Sequence, residues 1–225
     1  MDLAAAVREA VRSAPGDPER AAAQQRYMRS ALPFRGLPVP TVRALVRGVV
    51  RARPVPGYAE WSAAVRTLWD GAEVREERYA AIGVARSLPG HARAQASLPL
   101  HRHLVVTGAW WDLVDETAAH LVGAVLRAHP DTADELRGWA REEDLWLRRA
   151  AILAQLRSKE YTDRQLLLDV IEPNLTDPEL FVRKAIGWAL RQYAHLDDAA
   201  AAWVRGVVEG YGQRLSPLSR REALR

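Results

Sequence analysis

An internal repeat of 35 residues is the feature that most limits how this chain can fold. The segment Leu145–Ile152 matches Leu180–Gly187 at that offset, and one step back from Trp146 reaches Trp111. Two 35-residue steps before Arg149–Ile152, the segment Tyr79–Ile82 aligns with it and shares its Ala-Ala-Ile sequence. Because apolar residues recur at helical spacing in these segments, we predict that each repeat is a pair of helices.

Helix pairs that recur at this period are typical of solenoids of the HEAT or TPR kind. We therefore expect an all-α fold, a right-handed solenoid whose stacked repeats line a curved, concave surface. Asp17-Pro18 and Asp177-Pro178 each predict a helix start, with an N-cap followed by proline at the first helical position. No break between helices is long enough for a linker, so we predict a single domain over residues 1–225.

Composition sets a few limits on function. The net charge of +4 permits a nucleic-acid partner without requiring one. The absence of cysteine excludes disulfides and thiolate metal sites, and we expect a cytoplasmic protein. There is no apolar run long enough for a membrane span, and the charges in the N-terminal apolar stretch predict an amphipathic helix rather than a signal peptide. The scattered histidines predict no metal site.

One column of the repeat alignment contains a carboxylate among alanines. It reads Ala80, Asp115, Ala150 and Ala185, and small apolar side chains are expected where helices pack closely. Burying an ionised carboxylate is costly unless it is paired or hydrogen-bonded. Asp115 is therefore a candidate reactive group, and the alternative is a structural pairing with an arginine of the next repeat.

Trp111 lies four residues before Asp115 and is expected on the same helix face. Its column in the alignment reads Glu76, Trp111, Trp146 and Phe181, and core packing is the usual role of such aromatic residues. An indole beside a carboxylate can also hold a cation, because the ring face and the negative charge both attract it.

Basic residues occupy two neighbouring columns of the later repeats. Arg148 and Arg183 share one column, and Arg149 and Lys184 share the next. Stacked repeats would align them into a basic stripe suited to a phosphate backbone, with a solvated helix face as the alternative. Trp188 follows Lys184 by four residues and adds an aromatic side chain to this helix.

The segment Trp110-Trp111-Asp112-Leu113-Val114-Asp115 resembles the Trp-Trp-Asp-x-Val-Asp signature of the AlkD-type DNA alkylation repair glycosylases. Further similar segments cover nearly the whole chain with similar spacing: Arg26–Met28, Trp146–Leu153, Lys184–Trp188 and Leu218–Leu224. This family is built of HEAT-like repeats, in agreement with the period found in the sequence.

The resemblance implies a monomeric, monofunctional glycosylase that hydrolyses the N-glycosidic bond of alkylated purines in double-stranded DNA, without a cofactor and without conventional base flipping. The typical substrates would be N3-methyladenine and N7-methylguanine. Asp115 would be the catalytic carboxylate, and Trp111 and Trp188 the aromatic walls around the lesion's deoxyribose. Tyr27 would join that cluster, and Arg149 would contact the DNA backbone.

The sequence departs from the family pattern at Pro38, where a polar residue is expected, so the resemblance does not carry a side-chain contact with DNA over to this position. Two other functions stay compatible with the sequence. One is a non-catalytic HEAT-repeat module that binds DNA structure or a protein partner. The other is a glycosylase specialised for bulky adducts.

Overall fold

The computed structural model describes residues 2–54 and 56–225, and in these residues the regular structure is entirely helical. This confirms the predicted all-α fold class. The α-helices are α1 Leu3–Ser13, α2 Pro18–Met28, α3 Val39–Arg51, α4 Tyr58–Asp70, α5 Arg75–Ser87, α6 Pro89–Ala92, α7 Leu98–Gly108, α8 Trp111–Thr117, α9 Gly123–Ala128, α10 Thr132–Trp139, α11 Leu145–Leu153, α12 Arg164–Ile171, α13 Leu180–Ala194, α14 Asp198–Tyr211 and α15 Pro217–Ala223.

The helices form two compact units, one that ends at Ala92 and one that runs from Arg93 to Arg225. In unit 1, α5 packs against α3 and α4, and α1 packs against the same three helices. Its interior contains the fully buried side chains of Val7, Val42, Trp61 and Trp69. The single domain predicted over the whole chain stays a prediction.

Unit 2 stacks its helices in the order that the repeat predicts. Helix α11 packs against both α8 and α13, and α15 covers another part of α13. The shared core of this unit includes Val114, Leu147, Ala150, Ile186 and Leu190, each at most 1% exposed. The three helices that carry the repeat motif are therefore held side by side by one continuous apolar core.

The predicted helix starts have different outcomes. Helix α2 begins at Pro18, and the carboxylate of Asp17 accepts a hydrogen bond from the backbone N–H of Arg20 at 2.9 Å, as expected of an N-cap. The predicted start at Asp177-Pro178 is wrong by two residues, because Glu179 is the N-cap residue of α13. None of the helices in the described ranges has both the length and the apolar character needed to cross a membrane.

Candidate active site

Asp115 and Arg149 form an ion pair across two successive repeats. Oδ1 of Asp115 accepts from Nε of Arg149 at 2.7 Å, and Oδ2 accepts from Nη2 at 2.8 Å. The Arg149 side chain is 6% exposed and that of Asp115 is 14% exposed. Two parallel hydrogen bonds of this kind fix the orientation of both groups. The pairing that the sequence left open as an alternative for Asp115 is therefore present.

The two residues of the pair occupy the same position when counted from the start of their helices. Asp115, Arg149 and Lys184 are each the fifth residue of their helix, in α8, α11 and α13. The step from α8 to α11 is thus 34 residues, one fewer than the step from α11 to α13. Counted from the helix starts, Asp115 corresponds to Arg149, whereas the sequence alignment places it beside Ala150.

A third interaction holds the guanidinium of Arg149. Its Nη1 donates to the backbone carbonyl of Phe181, and its Cζ lies 6.0 Å from the centre of the Phe181 ring. Because Nε and both terminal nitrogens are engaged, the side chain has a defined position before any ligand binds. This role of Phe181 is not predictable from the sequence, because a backbone acceptor has no residue-type signature.

The aromatic cluster around Phe181 differs from the predicted column. The Phe181 ring packs on Trp146 at 5.1 Å and on Trp110 at 5.4 Å, measured between ring centres. Trp110 is the third member of this cluster, and it precedes α8 in an extended conformation. Trp111 packs against the core of unit 2.

The surroundings of Asp115 favour a carboxylate that binds protons more readily than usual. Burial raises the pKa of Asp115 above its ordinary value of 3.8, and the hydrogen bond and charge of Arg149 oppose that rise. The nearby negative charges of Asp112 and Glu116 add to it. A carboxylate has about four acceptor positions, of which Arg149 takes two. Asp115 can therefore still accept a hydrogen bond from water or face a cation.

The two predicted tryptophans lie on two of the three stacked helices. Trp111 is the first residue of α8, one turn before Asp115, and Trp188 lies one turn after Lys184 on α13. Both are partly buried. Next to Trp188, Gly187 allows α15 to approach closely, because an added Cβ would lie 2.8 Å from the carbonyl oxygen of Ser219. Their proposed role around the deoxyribose stays a prediction.

Two of the four residues of the predicted basic stripe are paired with carboxylates, and the stripe's contact with DNA stays a prediction. Arg149 is paired with Asp115, and Arg148 donates to Asp177 at 2.9 Å and to two backbone carbonyls of the preceding loop. Arg183 is partly buried, whereas Lys184 is exposed. Stacking of the helices places Arg148 and Arg149 next to carboxylates of other elements. The alignment of the repeats does not reveal such contacts, because it shows only which residues occupy equivalent positions.

Two further sequence-predicted positions lie in unit 1. Tyr27 is on α2 and is 73% exposed, and whether it joins the site stays a prediction. Pro38 is the exposed N-cap residue of α3.

A π-helical segment, Ala118–Val122, follows α8 directly. Such segments are rare and occur often at functional sites. Gly123 comes next, and a Cβ at this position would lie 2.2 Å from the carbonyl oxygen of Ala154. The continuous helix that carries Asp115 therefore approaches the next repeat closely at its π-helical turn. Neither feature has a clear sequence signal beyond the glycine.

No group of three or more histidine, aspartate or glutamate side chains in the described ranges is arranged to hold a metal ion.

Comparison with known proteins identifies a family and a similar solved structure. The model of the DNA alkylation repair enzyme family matches residues 9–225. A solved structure of a "Predicted DNA alkylation repair enzyme" from Enterococcus faecalis shares 29% sequence identity and a TM-score of 0.78, over 92% of this chain and 94% of that one. A search of curated proteins found no match. Since the family match spans nearly the whole chain, this protein belongs to the DNA alkylation repair enzyme family.

Proposed function

We propose that this member of the DNA alkylation repair enzyme family is a monofunctional DNA glycosylase. It would release cationic alkylated purines, such as N3-methyladenine and N7-methylguanine, from double-stranded DNA and leave an abasic site. The observation that carries the proposal is the carboxylate of Asp115. Two hydrogen bonds from Arg149 orient it, yet the Asp115 side chain is still 14% exposed. The chemistry of the reaction explains why one fixed carboxylate is useful.

A purine alkylated at N3 or N7 is already positively charged and leaves as a neutral base. Breaking the glycosidic bond builds positive charge on the deoxyribose, as in the oxocarbenium-like transition state of glycoside hydrolysis. An oriented carboxylate stabilises that charge and positions the attacking water. Because the charge on the sugar grows in the transition state, this attraction accelerates the step instead of only tightening binding.

Trp111 and Trp188 would contribute through their ring faces. Cation–π attraction from an indole is worth about 0.5–2 kcal/mol, depending on how far water is excluded. Trp111 starts the helix that carries Asp115, and Trp188 lies on the helix that carries Phe181. We propose that these two rings bracket the sugar on which Asp115 acts.

The ion pair changes the role that we propose for Arg149. Its guanidinium nitrogens are engaged by Asp115 and Phe181, so we assign it to positioning the carboxylate. Lys184 is exposed at the equivalent position of the next helix, and it is the better candidate for a phosphate contact. Arg183 and Tyr27 remain proposed DNA contacts, and Arg148 would act by ordering the loop before α11.

The scarcity of lysine favours direct hydrolysis over a mechanism with a covalent intermediate. Schiff-base chemistry requires an amine, and Lys159 and Lys184 are the only lysines of the chain. We further propose that the protein acts as a cytoplasmic monomer and captures the lesion without conventional base flipping.

The experiment that tests the proposal measures free base. Wild-type protein in excess over a duplex that contains N7-methylguanine should release the base, as detected by chromatography. The same protein should leave an unmodified duplex intact. Tight binding of the methylated duplex without any released base would support the non-catalytic binding module instead.

A further inference from the structure

Two clefts in unit 2 are lined in part by the segment 154–163, which connects α11 to α12, and the first of them is mainly apolar. The first has a volume of about 440 Å³ and is lined by residues that include Arg127, Pro130, Ala133 and Leu166. The second has a volume of about 310 Å³ and is lined by residues that include Leu156 and Leu196. Both volumes lie in the range typical of ligand sites. Neither cleft is lined by Asp115, Trp111 or Trp188.

The segment between the clefts is internally ordered. The side-chain amide of Gln155 donates to the carbonyl of Asp163 at 3.0 Å and accepts from its backbone N–H at 2.8 Å. Lys159 has a φ of +53°, a left-handed conformation that costs a non-glycine residue energy. Tyr161 lines the first cleft and is 78% exposed. The segment therefore presents a large aromatic side chain to solvent from a fixed backbone.

The first cleft has uncompensated positive charge at its wall. Arg127 keeps access to solvent, but partial burial and the charge of Arg157 both lower its pKa. Within the described ranges neither arginine forms an ion pair with a carboxylate. The cleft wall also contains Asp163, whose Oδ1 caps α12 by accepting from two backbone N–H groups. Two neighbouring cations that form no ion pair attract an anion.

The apolar wall of the first cleft and the positive charges beside it together indicate which kind of ligand this surface can bind. A nucleic-acid backbone would satisfy the cations but would leave apolar walls unfilled, because phosphates and sugars are polar. An extended chain with acidic and large apolar residues uses both features, since alternating side chains can enter separate clefts. Lys159 lines the second cleft and supplies a further cation beside it.

We propose that this surface of unit 2 binds an acidic peptide segment of a partner protein. The acidic side chains would face Arg127 and Arg157, and a large apolar side chain would enter the 440 Å³ cleft beside Tyr161. The proposal goes beyond the repair reaction and does not depend on it.

The test uses synthetic peptides labelled with fluorescein and the full-length protein. Asp-Asp-Asp-Leu-Phe carries both features, Asp-Asp-Asp-Gly-Ser carries only the charge, and Ser-Ser-Ser-Leu-Phe carries only the apolar residues. Fluorescence anisotropy should show the first peptide binding at least about tenfold more tightly than either of the others. Similar affinities for all three peptides, or no binding of the first, would overturn the proposal.

Two variants locate the binding surface. Arg127→Gln should weaken binding of the acidic, apolar peptide by at least about fivefold, which corresponds to the loss of one charged contact. Arg205→Gln, at an exposed position of α14, should leave it within about twofold, as expected for a position outside the interface. Unchanged peptide affinity in Arg127→Gln would contradict the proposal. So would weaker binding of duplex DNA by this variant without weaker peptide binding, because the surface would then be a DNA contact.

Discussion

Arg149 donates to both carboxylate oxygens of Asp115, at 2.7 and 2.8 Å, from the equivalent position of the next repeat. The bond is therefore both a link between repeats and a support for the proposed catalytic group. A structural ion pair and a catalytic carboxylate are compatible here, because about half of the acceptor positions of Asp115 remain free.

The ion pair should contribute measurably to stability. Removing one partner of a buried pair typically costs about 3–5 kcal/mol, since the other charge is left uncompensated. We expect Asp115→Ala and Arg149→Ala each to lower the free energy of unfolding by about that amount, and the double variant to lose less than the sum. Urea denaturation of the four proteins checks this. Additive losses would mean that the two side chains do not interact in solution.

The pH dependence of base release should report on Asp115. The proposed mechanism needs the ionised carboxylate, and burial raises its pKa above 3.8. The single-turnover rate should therefore fall as the pH decreases through that raised pKa. In Arg149→Gln the opposing charge is gone, so the fall should begin at a higher pH. The same acid limb in both proteins would show that Arg149 does not influence Asp115. Circular dichroism at each pH confirms that the protein is folded.

The fold class was predictable because periodic apolar residues report on helices, and a long repeat reports on their stacking. The offset between successive repeat helices was not predictable from the sequence. The step between α8 and α11 is one residue shorter than the alignment assumed, and only the contact between Asp115 and Arg149 reveals it. The contacts of Trp110 with Trp146 and Phe181 were not predicted either, because the extended backbone at Trp110 lies outside the helical period.

The same limit applies to the charged residues of the site. Sequence columns predicted which basic residues lie side by side, but not which of them meet a carboxylate from another element. Asp177 lies 29 residues from its partner Arg148, and Phe181 contacts Arg149 through its backbone. Ion pairs between residues far apart in the sequence, and backbone acceptors, become apparent only in the three-dimensional structure.

His101 should make the protein less stable in mild acid. It is fully buried in α7, neither ring nitrogen has a hydrogen-bond partner, and burial lowers its pKa from 6.5 to about 3. Between these two values the unfolded chain binds the proton and the folded protein does not. The free energy of unfolding should therefore fall as the pH drops below 6.5, by up to about 1.4 kcal/mol per pH unit from this group.

A substitution isolates the contribution of His101. In His101→Leu this part of the pH dependence should disappear, whereas His195→Gln, at an exposed position, should keep it. Denaturation at several pH values between 4 and 7 provides the measurement. Identical pH profiles for wild type and His101→Leu would show that the group titrates normally.

Lys184 should contact the DNA backbone. The affinity for duplex DNA should decrease with salt, and loss of one phosphate contact reduces the slope of log K against log salt by about 0.9. We expect this change in Lys184→Gln and not in Arg205→Gln. Arg149→Gln should also keep the wild-type slope, because its guanidinium is occupied by Asp115 and Phe181. A reduced slope in Arg149→Gln would restore the phosphate contact that the family resemblance implies for this residue.

The most direct test of the account is release of N7-methylguanine from a methylated duplex by wild type and by Asp115→Asn under single-turnover conditions. We predict that the substitution slows release by at least about tenfold, or about 1.4 kcal/mol of barrier, while affinity for the duplex is kept. The amide retains an acceptor oxygen for Arg149 but lacks the negative charge that stabilises the sugar cation. Equal rates of release by the two proteins would contradict the assignment of Asp115 as the catalytic carboxylate.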